Sequence, residues 1–140
     1  LTGNTNHAST SSDNEVTYDI TSPDVTVEQA AGQADPTSTS PINFTATFSE
    51  PINSSTFTPA DVVLDGAAGA DTVLITETAP NDGTTFNLAV SGMKAYGYVI
   101  VSIPAGVVQD QAGNANAIRS SVDNSVLFEI YFNYCPLIIH

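Results

Sequence analysis

The chain is poor in the residues that most sharply narrow a reading. Its 140 residues include one cysteine, no tryptophan, two histidines and two basic side chains, Lys94 and Arg119. A single thiol, Cys135, excludes an intrachain disulfide. His7 and His140 stand at opposite ends, so neither can join Cys135 in a zinc cluster, and no Ser–His–Asp arrangement can form within the body of the chain. With two cations against fifteen acids and a formal net charge of −13, there is no basic patch to meet nucleic acid or an anionic membrane. No run of eighteen or more apolar residues offers a membrane span, and no basic region followed by an apolar stretch marks a leader. No window carries a clean helical apolar stripe, and no phosphate-cradling glycine loop precedes a helix. The chain therefore reads as non-catalytic, and its lack of an initiating methionine reads as a piece of a longer protein or a processed product.

What is present is alternation. In Pro41–Pro51, Ile42, Phe44, Ala46 and Phe48 alternate with Asn43, Thr45 and Thr47, and Glu50 follows at the end. A period of two places the four apolar groups on one face of a strand. The same pattern predicts strands at Asp24–Gln29, Asp61–Asp65, Thr72–Thr78, Thr84–Val90, Tyr98–Ile103 and Ser125–Ile130, with turns between them such as Pro80–Gly83. Pro104–Asp123 reads as one long loop, and Phe57 as tucked beneath the core from an otherwise polar stretch. Seven short strands with these turn signals predict an all-β fold, an immunoglobulin-like seven-stranded antiparallel β-sandwich.

Gly3–Ile20 and Gly113–Ile130 align without a gap at an offset of 110 residues. Gly3/Gly113, Asn4/Asn114, Asn6/Asn116, Ser11/Ser121, Asp13/Asp123, Asn14/Asn124, Val16/Val126 and Ile20/Ile130 are identical. A repeat of that period has the size of one sandwich. The expected organisation is the final loop and strand of a preceding repeat at 1–20, one Ig-like domain at 21–131, and an apolar tail at 132–140. Tyr131–His140 does not match Thr21–Ala30, so this unit reads as the last of its array.

The motifs Phe44–Ile52 (FTATFSEPI), Asp61–Gly66 (DVVLDG), Phe86–Met93 (FNLAVSGM) and Gly97–Asn114, with its IPAG and DQAGN runs, resemble the bacterial immunoglobulin-like, or Big-type, tandem repeats of large cell-surface and adhesin-like proteins. The resemblance implies an extracellular location at the cell surface. It also implies neighbouring Ig-like repeats or further copies of the chain as partners, together with a cell-surface or glycan ligand.

Topology suggests a metal. In a simple Ig-like order alternate loops fall at alternate poles. The incoming linker and the loops after the second, fourth and sixth strands then share one pole, and they carry Asp19, Asp24, Glu50, Asp82 and Asp110. Hard cations take carboxylate oxygens, and calcium takes six to eight oxygens in all. The expectation is a calcium ion (Ca2+) held by Glu50, Asp110, Asp19, Asp24 and Asp82 at the junction with the preceding unit. Local turn chemistry competes for the same residues, because Asp82 and Asp110 both lie in turn sequences.

Three functions are consistent with these features. The leading one is a non-catalytic stalk or adhesive module of a surface protein, rigidified by calcium at the interdomain junction. The second is a structural subunit of an extracellular filament joined by β-strand exchange between copies, suggested by the orphan N-terminal segment and the apolar tail. The third is an accessory module of a secreted carbohydrate-active enzyme, for which Tyr96 and Tyr98 are the candidate platform. Asn43–Thr45 and Asn53–Ser55 match the glycosylation acceptor pattern.

Overall fold

A computed structural model describes residues 3–8 and 10–131. The tail predicted at 132–140, with Cys135 and His140, lies outside the described residues. Eight strands are formed within them: β1 (Asp24–Gln29), β2 (Ile42–Phe48), β3 (Val63–Asp65), β4 (Thr72–Glu77), β5 (Thr85–Ser91), β6 (Gly97–Ser102), β7 (Ala117–Ile118) and β8 (Ser125–Phe128). They make a five-stranded sheet in the order β4-β5-β2-β1-β7 and a three-stranded sheet in the order β3-β6-β8.

The alternation in the sequence sets the register. In β2 the apolar residues Ile42, Phe44, Ala46 and Phe48 are all buried. Antiparallel pairing sets Ile42 opposite Val90, Phe44 opposite Leu88 and Ala46 opposite Phe86 on β5. On its other side β2 sets Phe48 opposite Val25 and Ala46 opposite Val27 on β1. These side chains form one inner layer. Val99 and Val101 of β6 and Val126 of β8 form the facing layer, and Ile52, Val62, Ile103 and Val108 close the ends. A one-residue slip would turn every one of these groups toward water, so the burial itself fixes the pairing.

Phe57 is buried, as the sequence suggested. Its ring meets Phe48 at 5.5 Å and Phe86 at 5.3 Å between centroids, both edge-on. The segment around it is not extended, however. Two short 3-10 turns, Ser54–Thr56 and Pro59–Asp61, flank it. In the second turn Asp61 Oδ2 accepts from both the NH and the hydroxyl of Thr58, each at 2.8 Å. That capping contact delays β3 to Val63, two residues after the predicted start.

The long loop after β6 contains the other departure. Asn116 is buried, and its Oδ1 accepts from the NH groups of Val107 and Val108 while its Nδ2 donates to Pro104 O. This single amide folds the loop so that β7 lies parallel to β1. The chain continues along the β1 edge through Arg119, Ser121 and Asp123, which bond to Val25 O, Val27 NH and Gln29 NH. It then crosses to the second sheet as β8. The outer edge of β8 is covered by Thr37, whose NH donates to Leu127 O. Residues 10–22 form no strand, and Val16, Tyr18 and Ile20 are exposed.

Candidate metal centre

Three loops are laced together at one pole of the sandwich. Beyond β2, Ile52 pairs with Asp110 in an antiparallel bridge, and Asn53 NH donates to Gln109 O at 2.8 Å. The turn between β4 and β5 joins them, with Ile52 NH donating to Gly83 O at 2.9 Å. Gly83 has φ +80°, and a Cβ there would stand 3.1 Å from Ile52 O. The position therefore requires glycine on two counts, backbone conformation and close approach. The β1–β2 end is closed by Asp24 NH to Ser49 Oγ and Ser49 NH to Asp24 O. Glu50 follows Ser49 directly and is thereby aimed into the space between the loops.

Asp110 is held by the turn that follows it. Asn114 NH donates to Asp110 Oδ1 and Asn114 Nδ2 to Asp110 Oδ2, both at 2.8 Å. The same Nδ2 donates to the backbone carbonyl of Asp19 at 3.1 Å. Asn114 thus ties the incoming segment to the loop after β6. Asp19 Oδ1 in turn accepts from Thr21 NH at 2.9 Å.

The result is a group of three acids. One carboxylate oxygen each from Asp19, Glu50 and Asp110 lies within 4.8 Å of the others. They line an open depression of about 440 Å³ with Thr17, Pro51, Gln111 and Ala112. Asp110 is only 4% exposed. Glu50 Oε1 is buried and has no hydrogen-bond partner. Burial pushes the Glu50 carboxyl above its ordinary range, and the charges of Asp19, Asp110 and Asp24 push it further. For Asp110 burial also acts upward, but hydrogen bonds from the Asn114 side chain and from the backbone of Asn114, Ala112 and Gly113 outweigh it and hold the group below its ordinary value. The site therefore keeps one acid firmly ionised beside another whose charge is poorly accommodated.

This pole, the two sheets and the core belong to one sequence unit. Residues 19–129 match the bacterial Ig-like domain. The chain belongs to that family. The matched span runs from Asp19 to Glu129, just past β8. Among solved structures, the N-terminal part of the bacterial S-layer protein SbsC is similar over 77% of this chain, at 15% identity and a TM-score of 0.47. The similar region spans 24% of that chain. No curated protein matches. Among the described residues no helix is long and apolar enough to cross a membrane.

Of the five acids expected at this pole of the Ig-like domain, the structure brings together Asp19, Glu50 and Asp110. Asp24 stays outside the group. Its Oδ2 lies 3.4 Å from Arg119 Nε, although its charge still reaches Glu50. Asp82 also stays outside, because its Oδ1 accepts from the NH and hydroxyl of Thr84 at 3.1 and 2.6 Å. Those bonds, the hydroxyl's first, hold its carboxyl below the ordinary value. Asn114 was not among the expected site residues. The signals for it were its place in DQAGN and its repetition as Asn4. Tyr96 and Tyr98 are both exposed.

The donor set suits a hard cation. Two oxygens bound to one ion at about 2.4 Å each lie at most about 4.8 Å apart, and the three carboxylate oxygens lie within that distance of one another. Each Asp110 carboxylate oxygen accepts one short hydrogen bond from Asn114, at 2.8 Å, and a carboxylate oxygen has about two lone-pair sites. Residues Asp19, Glu50 and Asp110 could hold calcium, with waters and carbonyls completing the shell.

Proposed function

We propose that this chain is a non-catalytic, extracellular Ig-like module of a surface protein, serving as a stalk or adhesive repeat, and that a calcium ion bound by Asp19, Glu50 and Asp110 stiffens its N-terminal junction. The observation that carries the reading is the buried, unpartnered Glu50 Oε1 facing two further carboxylates. An unpaired buried acceptor is costly, and so is like charge at this distance. A divalent cation relieves both at once. Asp19 gives the ion its mechanical effect, since it belongs to the segment entering the domain and the other two ligands belong to the sandwich.

Thermal melting of the 140-residue chain in calcium and in chelator tests this. A ligand at one hundred times its dissociation constant stabilises by about 2.7 kcal/mol. For a domain of this size each kcal/mol moves the melting temperature by roughly 4 °C. A rise of about 10 °C is expected, and Glu50→Gln or Asp110→Asn should abolish it. An equal melting temperature in millimolar calcium and in chelator would remove the metal from the proposal.

A further inference from the structure

The last strand is fastened to the sandwich by four side chains. Ser121 Oγ accepts from Val27 NH at 2.9 Å, and Asp123 Oδ1 from Gln29 Nε2 at 2.9 Å. Asn124 Nδ2 donates to Val101 O at 2.9 Å, while its carbonyl accepts from Val101 NH at 3.0 Å. Val126 is fully buried. At the 110-residue offset all four residues recur unchanged, as Ser11, Asp13, Asn14 and Val16. Tyr18 stands where Phe128 packs against the core, and Ile20 where Ile130 follows β8. The replacements Ser125 to Glu15 and Leu127 to Thr17 fall on the outer face. There the contacts are made by main chain: Ser125 O with Gln29 Nε2, and Leu127 O and NH with Thr37 NH and Asp35 Oδ1. Thr10–Ile20 therefore retains the docking chemistry of β8. In this structure, though, it forms no strand, and Val16, Tyr18 and Ile20 are 94%, 88% and 71% exposed.

We propose that Thr10–Ile20 is a closing strand for a second sandwich built like this one, seated beside that partner's β6 and the segment equivalent to Asp35–Thr37. The partner must offer an unpaired Val101-type backbone, a Val27-type NH, a Gln29-type amide and an acidic acceptor at the Asp35 position. A second copy of this chain offers all of these once its own β8 is withdrawn. The proposal does not depend on calcium, so the test is run in chelator.

The test uses the full-length Val126→Asp variant, which places a charge on the inner face of β8 and expels it. Thr10–Ile20 of one copy should then close the next. Light scattering should give a mass above the monomer that rises with concentration, with β-sheet circular dichroism and a cooperative melt retained. Adding Val16→Asp should abolish both assembly and melt. A synthetic peptide of residues 113–130 establishes that the variant can accept a closing strand; where aspartate prevents even that, the milder Val126→Thr is read in the same way. A variant that the peptide restores but that remains monomeric and unfolded alone overturns the proposal. Assembly that survives Val16→Asp overturns it equally.

Discussion

Truncating Phe57 to alanine tests whether the loop bearing Glu50 is anchored by the core. The ring is 6% exposed and packs edge-on against Phe48 and Phe86. Removing a buried phenylalanine side chain costs about 3–5 kcal/mol. The lower end applies, because the ring borders an open groove of about 400 Å³ shared with Thr58, Pro59, Leu74 and Ile75. Water can enter there and the neighbours can move inward, so the residual cavity is small. About 3 kcal/mol, at roughly 4 °C per kcal/mol, gives a fall of about 12 °C in melting temperature. Phe57→Leu retains most of the volume and should cost about 1 kcal/mol. The same change should weaken the acidic site. The segment before Phe57 is bonded to Gln109 through Asn53 NH and through Thr56 Oγ1, which accepts from Gln109 NH at 3.0 Å. Scanning calorimetry of both variants, with and without calcium, is the assay. A fall of less than about 4 °C for Phe57→Ala would mean that the ring is not a core residue in solution, and the anchoring argument would fail with it.

The remaining predictions concern the acidic pole. Asn114→Ala removes the two side-chain bonds that join Asp110 to Asp19, so limited proteolysis should cut between residues 10 and 22 faster than in the parent chain while the sandwich stays intact; equal cutting rates would refute the tie. Glu50 gives a pH dependence of definite sign. Its folded value is raised, so in chelator its contribution is fully present below its unfolded value, about 4.3, and is lost as pH rises through the higher folded value. Asp71, Asp82 and Asp110 have lowered values, and their contribution is lost as pH falls through those values, below about 3.9. The calcium-free melting temperature should therefore rise as pH falls through the raised Glu50 value and drop as pH falls below about 4. General relief of the net negative charge contributes to the first limb. The Glu50→Gln chain isolates the specific part by showing a shallower rise, and parallel pH curves for the two chains would contradict the assignment.

Much of the sandwich is legible because burial and period coincide. β2 and β5 alternate without interruption, and each places its large apolar residues inward; β6 buries Val99 and Val101 and turns the apolar Tyr98 and Ile100 the other way. Where the strands lie, alternate poles follow, and this is enough to gather Asp19, Glu50 and Asp110. What escapes the sequence is decided by side chains without a period. β7 is two residues long and owes its position to Asn116, whose amide fits a local hole in the loop. Asp24 finds Arg119 only because β7 lies against β1. Asp82 is claimed by Thr84, two residues on, a contact that turn chemistry favours. Position at the correct pole is thus necessary for a ligand but not sufficient. Asp19 and Asp110 also accept hydrogen bonds and still reach the group, whereas Glu50 Oε1 has no hydrogen-bond partner.

That distinction bears on how a cation would act here. Asp19, Glu50 and Asp110 come from the entering segment, the loop after β2 and the loop after β6, and they meet only when both sheets and all three loops are formed. An unfolded chain has no such site, so the free energy of binding would appear undiminished as folding stability. The same ion would also fix the direction in which the chain enters the domain, since Asp19 is joined to the sandwich otherwise by the single bond from Asn114 to its carbonyl. One ligand set would then serve two ends. It would stabilise the unit that carries it and fix the course of the segment that enters it. β2, with its buried apolar face and Glu50 two residues past its end, is the element that links them.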